Sequence, residues 1–145
     1  MNQATNANEK PELVFADLVL GKEFRPLEYP VTEELVREFV KVVGDNHPLY
    51  SEKGPGAIAP PGLAAIYARS SYLQDHTMPS GGVLAKQEFE FKHPIRIGDT
   101  LKVSAKVIES STDEKDRKRV TFLIHARNQD QVEIAEVLLS AIWPK

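Results

Sequence analysis

The chain has 145 residues, a formal net charge of −3, 41% hydrophobic and 27% charged residues, a composition typical of one globular domain and not of a disordered or fibrous chain. It contains no cysteine, which excludes disulfides, thiolate chemistry and cysteine zinc sites. It has neither a basic block nor a run of 18 apolar residues, which argues against nucleic acid as a partner and against a transmembrane helix.

The polar N-terminal stretch predicts a flexible tail over residues 1–12, followed by a single domain over residues 13–145. The tail carries no apolar signal-peptide core, so a cytoplasmic location is expected. Residues 13–20 are compatible with either a short strand or a helical turn. Residues 23–29 read as a short first strand that Pro30 ends.

The next segment predicts an amphipathic helix. Thr32 is a suitable N-cap, and Glu33 and Glu34 follow in the first turn, where acidic side chains favour the helix dipole. One face of the helical period is apolar and the other is charged. The apolar face consists of Leu35, Val36, Phe39, Val40 and Val43.

A second helix is predicted over residues 63–73, after the Pro60-Pro61-Gly62 start. This helix is apolar or small nearly all round, which predicts that it is buried. A polar loop over residues 74–82 separates it from the C-terminal half of the chain.

From Val83 onward the apolar period changes to two, which predicts antiparallel strands that are buried on one face. A charged hairpin loop is expected over residues 110–118, and the last strand places alternate residues on one face: Ala135, Val137, Leu139, Ala141 and Trp143. One apolar helix enclosed by a curved antiparallel sheet is the α+β hotdog arrangement. A single sheet covers only one face of such a helix, so we expect the domain to pair with another subunit.

The turn after the first helix places an acid and an imidazole two residues apart, at Asp45 and His47, between Gly44 and Pro48. A carboxylate and a histidine on a stiff turn can hold a water molecule or a reacting proton. The other interpretation is that Gly-Asp-Asn only terminates the helix, since these residues favour turn geometry.

Three segments together resemble the MaoC-like hydratase/dehydratase family, in particular its N-terminal, fungal fatty-acid-synthase dehydratase-like branch. These segments are residues 44–50, 59–62 (Ala-Pro-Pro-Gly) and 89–101, and the resemblance runs from about Gly21 to Trp143. It implies a hotdog fold and the reversible (R)-specific hydration of 2-enoyl thioesters, or dehydration of 3-hydroxyacyl thioesters, carried by CoA or a carrier protein. It also implies that neither a metal nor a redox cofactor is needed.

The sequence departs from the family's active pattern, which has Asn two, Pro three and His five residues after the catalytic Asp. Asp45 and Pro48 match this pattern, but His47 stands at the Asn position and Tyr50 at the His position. A phenol with an ordinary pKa of about 10 is a poor base near neutral pH. Either His47 takes over as base, with Asp45 orienting it and Tyr50 as a hydrogen-bond donor or acid, or the chain is a non-catalytic acyl-binding subunit of a heteromeric hydratase.

The resemblance also assigns substrate binding to Ala59, Pro61 and Gly62. Since Pro60 and Pro61 have no amide hydrogen, Gly62 carries the first N–H of the second helix, where it could polarise a thioester carbonyl. The other interpretation is that glycine allows close packing there.

The remaining candidates are weaker. A hotdog thioesterase, which often carries an acid on this helix, is a further alternative, but no acid occurs after Gly62 until Asp75. The other histidines show no metal-ligand spacing, so no metal site is predicted, and His93, before a proline at a strand bend, is interpreted as structural. Four basic residues could meet the phosphates of CoA or of a carrier protein, although solvated surface charge is the simpler interpretation for each: Arg69, Lys86, Lys92 and Arg96. The partner of the domain is expected to be a second copy or a related hotdog subunit.

Overall fold

A computed structural model describes residues 10–44, 47–48 and 54–145. Its regular elements are two α-helices and seven strands, together with short 3-10 turns at Phe15–Asp17 and Pro61–Leu63. In chain order the elements are β1 (Leu27–Pro30), α1 (Glu33–Val43), β2 (Ile58–Ala59), α2 (Ala64–Leu73), β3 (Val83–Phe91), β4 (Ile95–Arg96), β5 (Thr100–Thr112), β6 (Lys118–Arg127) and β7 (Glu133–Trp143). No helix in these described stretches is long and apolar enough to cross a membrane.

Five of the strands form one antiparallel sheet in the order β1-β5-β6-β7-β3, and α2 lies across one of its faces. Alternate residues of β5, β6 and β7 point toward the helix and are buried, including the predicted inner residues of the last strand. The two-stranded pair β2–β4 lies beside the start of α2. The predicted α+β arrangement of a helix against a curved meander is confirmed.

The segment that precedes β1 forms a helical turn and not a strand. The side chains of Leu13 and Leu18 on either side of this turn are fully buried. The indole nitrogen Nε1 of Trp143 donates to the carbonyl oxygen of Leu13 at 2.7 Å, and Thr77 N donates to Pro11 O at 2.9 Å. The chain therefore contacts the rest of the domain already at Pro11, within the predicted tail. Residues 1–9 of that tail lie outside the described part.

The first strand is shorter than predicted. It covers Leu27–Pro30, where we expected a strand from residue 23, and Pro30 is its last residue and not its terminator. Glu23 forms only an isolated bridge to Lys106. Pro26 explains the gap, because a proline has no amide hydrogen to donate to a sheet ladder. Pro30 is tolerated because β1 is an edge strand.

The first helix has the predicted cap. The side chain of Thr32 accepts a hydrogen bond from Leu35 N at 3.1 Å, and the helix ends at Gly44 with φ of 70°, the left-handed conformation that glycine adopts without strain. Of the helix's own residues only Val36 is buried, and Val43 at the last turn is 53% exposed. Leu35, Phe39 and Val40 are half-buried against the core, and Leu35, Phe39 and Val43 also line a cleft.

The prediction that α2 is buried on all sides is wrong for one half of its circumference. Tyr67, Ala68 and the other sheet-facing residues are buried, but Ala65, Ile66 and Arg69 are exposed. The sheet can cover only the face that it contacts, so the opposite apolar face stays open in the single chain.

The hairpin between β5 and β6 is tighter than predicted, since the strands reach Thr112 and Lys118. Asp113 organises the turn. Its carboxylate accepts hydrogen bonds from the backbone N–H groups of Lys115 and Arg117 and from the Nε–H groups of Arg117 and Arg119, at 2.8–2.9 Å.

We expect Asp113 to make the hairpin sensitive to acid. Desolvation raises the pKa of its carboxyl, but the hydrogen bonds from Arg117 and Arg119 lower it more, so the net pKa lies below the ordinary value of about 3.9. A carboxyl of this kind stabilises the fold above its ordinary pKa, and the stabilisation is lost as the pH falls below that value. Urea unfolding from pH 7 to pH 3 should therefore show a steeper loss of stability in the wild type than in Asp113→Asn. Parallel curves for the two proteins would contradict this.

Candidate functional site

The predicted catalytic turn begins where α1 ends. Gly44 N donates to Val40 O at 2.9 Å and closes the helix. His47 is exposed just beyond it. Asp45 and Tyr50 lie outside the described residues, so the geometry of the predicted acid–base group stays a prediction.

The start of the second helix has the predicted form. Pro60 is extended, Pro61 is the first residue of the 3-10 turn, and Leu63 N donates to Pro60 O at 3.2 Å as the first hydrogen bond of that turn. The amide of Gly62 precedes this bond, and a helical amide in that position has no acceptor within its own helix. It is thus a donor suited to a ligand oxygen.

Gly62 also has a packing role. It does not adopt a left-handed φ, but a Cβ built on it would lie 3.1 Å from Cζ of Phe39 on α1. The glycine therefore permits a close approach of the two helices. This contact supports the packing interpretation of Gly62. It involves the Cβ position and not the backbone N–H, so the N–H is still available to a thioester carbonyl.

An apolar cleft of about 720 Å³ lies between α1 and the start of α2. One wall is the open face of α1, and the other is formed by the first turns of the second helix. Thr32, Glu34 and Glu38 are the polar residues of the lining. The apolar lining is supplied by Tyr29, Leu35, Phe39, Val42, Val43, Leu63 and Ile66.

A tyrosine of the cleft lining packs against a second, fully buried tyrosine of α2. Tyr29 lines the cleft and packs edge-on against Tyr67 at a ring-centroid distance of 5.7 Å. Both hydroxyls are buried and have no hydrogen-bond partner among the described residues. Burial raises the pKa of each phenol, so both remain neutral across the physiological range.

A second cavity of about 410 Å³ lies on the other side of the helix start. It is lined by Ala59 and Pro61 on one side and by Phe91 and His93 on the other, among others. Ala59 is buried in β2 and Pro61 is exposed. Pro61 lines this cavity, and Leu63 lines the cleft. Gly62 is the residue between them in the chain.

The lining of the second cavity includes two polar side chains, Lys92 and His93. Nδ1 of His93 donates to the carbonyl oxygen of Glu133 at 2.8 Å, which fixes the orientation of the ring. Lys92 pairs with Glu133 at 3.4 Å, and this carboxylate raises the pKa of the lysine. The hydrogen bond supports the structural interpretation of His93, but its place in a cavity beside Pro61 could not be read from the sequence.

The basic candidates for phosphate binding differ in their surroundings. Arg96 donates to the carbonyl oxygen of Gly56 at 3.0 Å, and Lys86 pairs with Glu88 on the same strand at 3.0 Å. Arg69 lies on the exposed face of α2. Within the described ranges, no cluster of three His, Asp or Glu side chains is arranged to hold a metal ion.

Comparisons with known proteins place these features in a family. A family model described as "FAS1-like, dehydratase domain region" matches residues 18–137. A UPF0336 protein of Streptomyces avermitilis is 27% identical over 104 residues, which are 61% of this chain and 68% of that protein.

Two solved structures have the same fold. One is the C-terminally truncated HadBC complex, a (3R)-hydroxyacyl-ACP dehydratase from Mycobacterium tuberculosis, with a TM-score of 0.72 and 22% identity over 85% of this chain and 96% of that chain. The other is the R-hydratase PhaJ1 from Pseudomonas aeruginosa, with a TM-score of 0.68 and 23% identity over 90% of this chain and 85% of that chain. The chain therefore belongs to the FAS1-like dehydratase-domain family and has the hotdog fold of the MaoC-like hydratases and dehydratases.

Proposed function

We propose that this chain takes part in the reversible hydration of 2-enoyl thioesters, or dehydration of 3-hydroxyacyl thioesters, in the cytoplasm, and that its own role is to bind the acyl chain. The observation that carries this proposal is the position of Gly62. In the chain it stands between Pro61, which lines a smaller cavity together with His93, and Leu63, which lines the large apolar cleft. A thioester has the same three parts: an apolar acyl chain, a carbonyl and a polar pantetheine arm.

The cleft suits the acyl chain in size and chemistry. A volume of about 720 Å³ is within the usual range of about 300–1,000 Å³ for ligand pockets. Each methylene group of a chain that leaves water for such a lining contributes about 0.8 kcal/mol. Glu34 and Glu38 on α1 would keep water and charge at the rim of the cleft.

The helix start suits the carbonyl. The Gly62 N–H would donate to the thioester oxygen and stabilise the negative charge that develops there when the alpha proton is lost or added. The pantetheine arm would then enter the cavity of Ala59, Pro61 and His93. The imidazole Nε2 of His93 and the ammonium group of Lys92 are polar partners for an amide and a phosphate, respectively.

Tyr50 favours a subunit that binds and does not complete the chemistry alone. It stands where the family's active pattern has histidine, and a phenol is a weak base at neutral pH. In the assembled enzyme, the water and the alpha proton would be handled by an aspartate–histidine pair of another hotdog subunit. The heteromeric HadBC dehydratase is a solved protein of this fold that acts as a complex.

A self-sufficient hydratase is the second candidate, because Asp45 and Pro48 match the family pattern and His47 offers an imidazole. In that case Asp45 would orient His47, and Tyr50 would donate a hydrogen bond. The thioesterase alternative is less well supported. Asp75, the first acid after Gly62, lies beyond the end of α2 and is paired with Arg25 at 2.7 Å.

Two measurements on the purified chain test the proposal. The first follows the loss of enoyl absorbance with crotonyl-CoA and with a twelve-carbon enoyl-CoA, for the wild type, Asp45→Asn, His47→Ala and Tyr50→Phe. The second measures the binding of saturated four-carbon and twelve-carbon acyl-CoA by calorimetry. We expect binding that strengthens with chain length, and no turnover by the chain alone.

Each result has a distinct meaning. Turnover that collapses in Asp45→Asn and His47→Ala would replace the binding role with the self-sufficient mechanism. Turnover that survives His47→Ala but not Tyr50→Phe would assign the chemistry to Tyr50. If a folded chain neither binds nor converts either thioester, the proposed function is wrong.

A further inference from the structure

A short segment at residues 95–99 bonds through its backbone to the chain that leads into α2. Gly56 N donates to Ile97 O, and Ile97 N donates to Ala57 O, each at 2.8 Å. The pairing of β2 with β4 continues this contact. Residues 56–59 run directly into the proline start of α2, so the start of one wall of the cleft is tied to this segment.

The same segment bonds to the start of the other wall. Gly98 N donates to Val31 O at 2.9 Å, and Val31 N donates to Asp99 O at 2.8 Å. Val31 is buried and precedes Thr32, the N-cap of α1. One short segment therefore holds the beginnings of both helices between which the cleft lies.

Gly98 allows this double contact. The N–H and C=O groups of Ile97 bond to the α2 side, whereas the N–H of Gly98 bonds to the α1 side, so the chain changes its direction of hydrogen bonding at the glycine. The φ of Gly98 is 104°, which an L side chain adopts only with strain. A Cβ built there would meet no atom within 4 Å, so the backbone and not the packing requires glycine.

Asp99 closes this turn, which comprises residues 96–99, with its side chain. Oδ2 of Asp99 accepts a hydrogen bond from Arg96 N at 2.9 Å, and Oδ1 accepts one from Nε2 of Gln129 at 3.0 Å. Oε1 of Gln129 in turn accepts from Thr100 N at 3.0 Å. The 96–99 turn is thereby fixed to the connection between β6 and β7, at the end of the main sheet.

The two walls approach each other closely where Gly62 meets Phe39. A Cβ on Gly62 would lie 3.1 Å from Cζ of Phe39, which is tighter than an ordinary van der Waals contact. A small change in the separation of the helices would therefore alter the contacts along the cleft, because packed walls lose dispersion contacts when even a narrow gap opens.

We propose that Asp99 is a positioning residue for the acyl chain: by closing the 96–99 turn it sets the separation of α1 from the start of α2, and thereby the affinity of the cleft for long chains. Asp99 does not line the cleft, so it acts through the two walls. This inference rests on the proposed function, because it takes the cleft as the acyl site.

The first test compares Asp99→Ala with Asp113→Ala. Asp99 precedes the first residue of β5 and Asp113 follows the last, and each carboxylate holds a turn by accepting backbone N–H groups. Calorimetry with saturated four-carbon and twelve-carbon acyl-CoA should show that Asp99→Ala reduces the preference for the longer chain at least about fourfold, the affinity that one buried methylene contributes. Asp113→Ala should keep the wild-type preference.

Gln129→Ala gives the same readout if Asp99→Ala does not fold, because the side chain of Gln129 is exposed and bonds to both Asp99 and Thr100. It should shift the preference in the same direction. An unchanged preference in the folded variant, or an equal change in Asp113→Ala, would overturn the proposal, because Asp99 would then contribute only to stability.

A double-mutant cycle tests the separation of the walls without a ligand. Urea unfolding is measured for the wild type, Asp99→Ala, Gly62→Ala and the double variant. The methyl group added at residue 62 presses on Phe39, and a looser turn should relieve this contact. The change in midpoint caused by Gly62→Ala should therefore be more favourable in the Asp99→Ala background than in the wild type.

Additive effects in this cycle would overturn the proposal, since Asp99 would then not fix the two walls. The cycle also separates this inference from the proposed function. If the wild type binds neither acyl-CoA, the proposed function is wrong and the acyl part of the inference falls with it, whereas a non-additive cycle would still establish that Asp99 positions the walls.

Discussion

Narrowing the cleft from the α1 side should weaken the binding of long acyl chains about tenfold and leave short chains almost unaffected. Val43 lines the cleft at the last turn of α1 and is 53% exposed, so a larger side chain fits there without disturbing the core. Long helical side chains lean back over the residue four positions earlier, which here is Phe39 of the cleft wall. The tryptophan introduced by Val43→Trp would therefore lie over the cleft.

The expected magnitude follows from the methylene groups that lose their contacts. Excluding about two methylenes at about 0.8 kcal/mol each gives roughly a tenfold weaker Kd. Calorimetry with four-carbon and twelve-carbon acyl-CoA measures this for Val43→Trp. Val19→Trp is the control, because Val19 is similarly exposed (60%) but does not line the cleft. Equal weakening for both chain lengths, or in both variants, would mean that the acyl chain binds elsewhere.

The sequence predicted most of the fold because its periodicities are local. Three features depend only on residues that are close in sequence, and the structure has all of them: the cap at Thr32, the proline start of the second helix and the alternating burial along β7. The errors arose where a distant contact or a missing amide decides the outcome. Pro26 shortened the first strand, and the hydrogen bonds of Asp113 tightened the hairpin.

The candidate site was less predictable than the fold. The substrate-binding role that the family pattern assigns to Ala59, Pro61 and Gly62 stays a prediction. The cleft itself could not be predicted, because it is formed by two helices whose separation no local pattern specifies. The contact between Phe39 and Gly62 is of this kind. The exposed half of α2 shows the same limit, because apolar composition predicts that a face will be covered and does not say whether by its own sheet or by another subunit.

The largest effect on stability is expected from Phe122 at the centre of the sheet. Its side chain is fully buried, stacks on Tyr72 of α2 at a centroid distance of 4.1 Å and an interplanar angle of 4°, and contacts Phe24 and Trp143 through tilted rings. The ring therefore joins the helix, the sheet and the N-terminal segment. Phe122→Ala should lower the free energy of unfolding by about 3–5 kcal/mol, the usual range when a buried ring is removed and a cavity remains.

Urea unfolding at neutral pH measures this loss as a lower midpoint with an unchanged m-value. Phe91→Ala is the control: Phe91 is 48% exposed on the edge strand, and its removal should cost less than about 1 kcal/mol in the monomer. A second readout follows from Tyr72, because burial raises the pKa of its phenol to about 12. If the cavity admits water, phenolate absorbance in folded Phe122→Ala should appear closer to pH 10, since solvation of the charged form lowers the pKa. A loss of less than about 1.5 kcal/mol with unchanged phenolate titration would show that helix and sheet are held together without this ring, and the core would then depend on the aliphatic residues of β5 and β7.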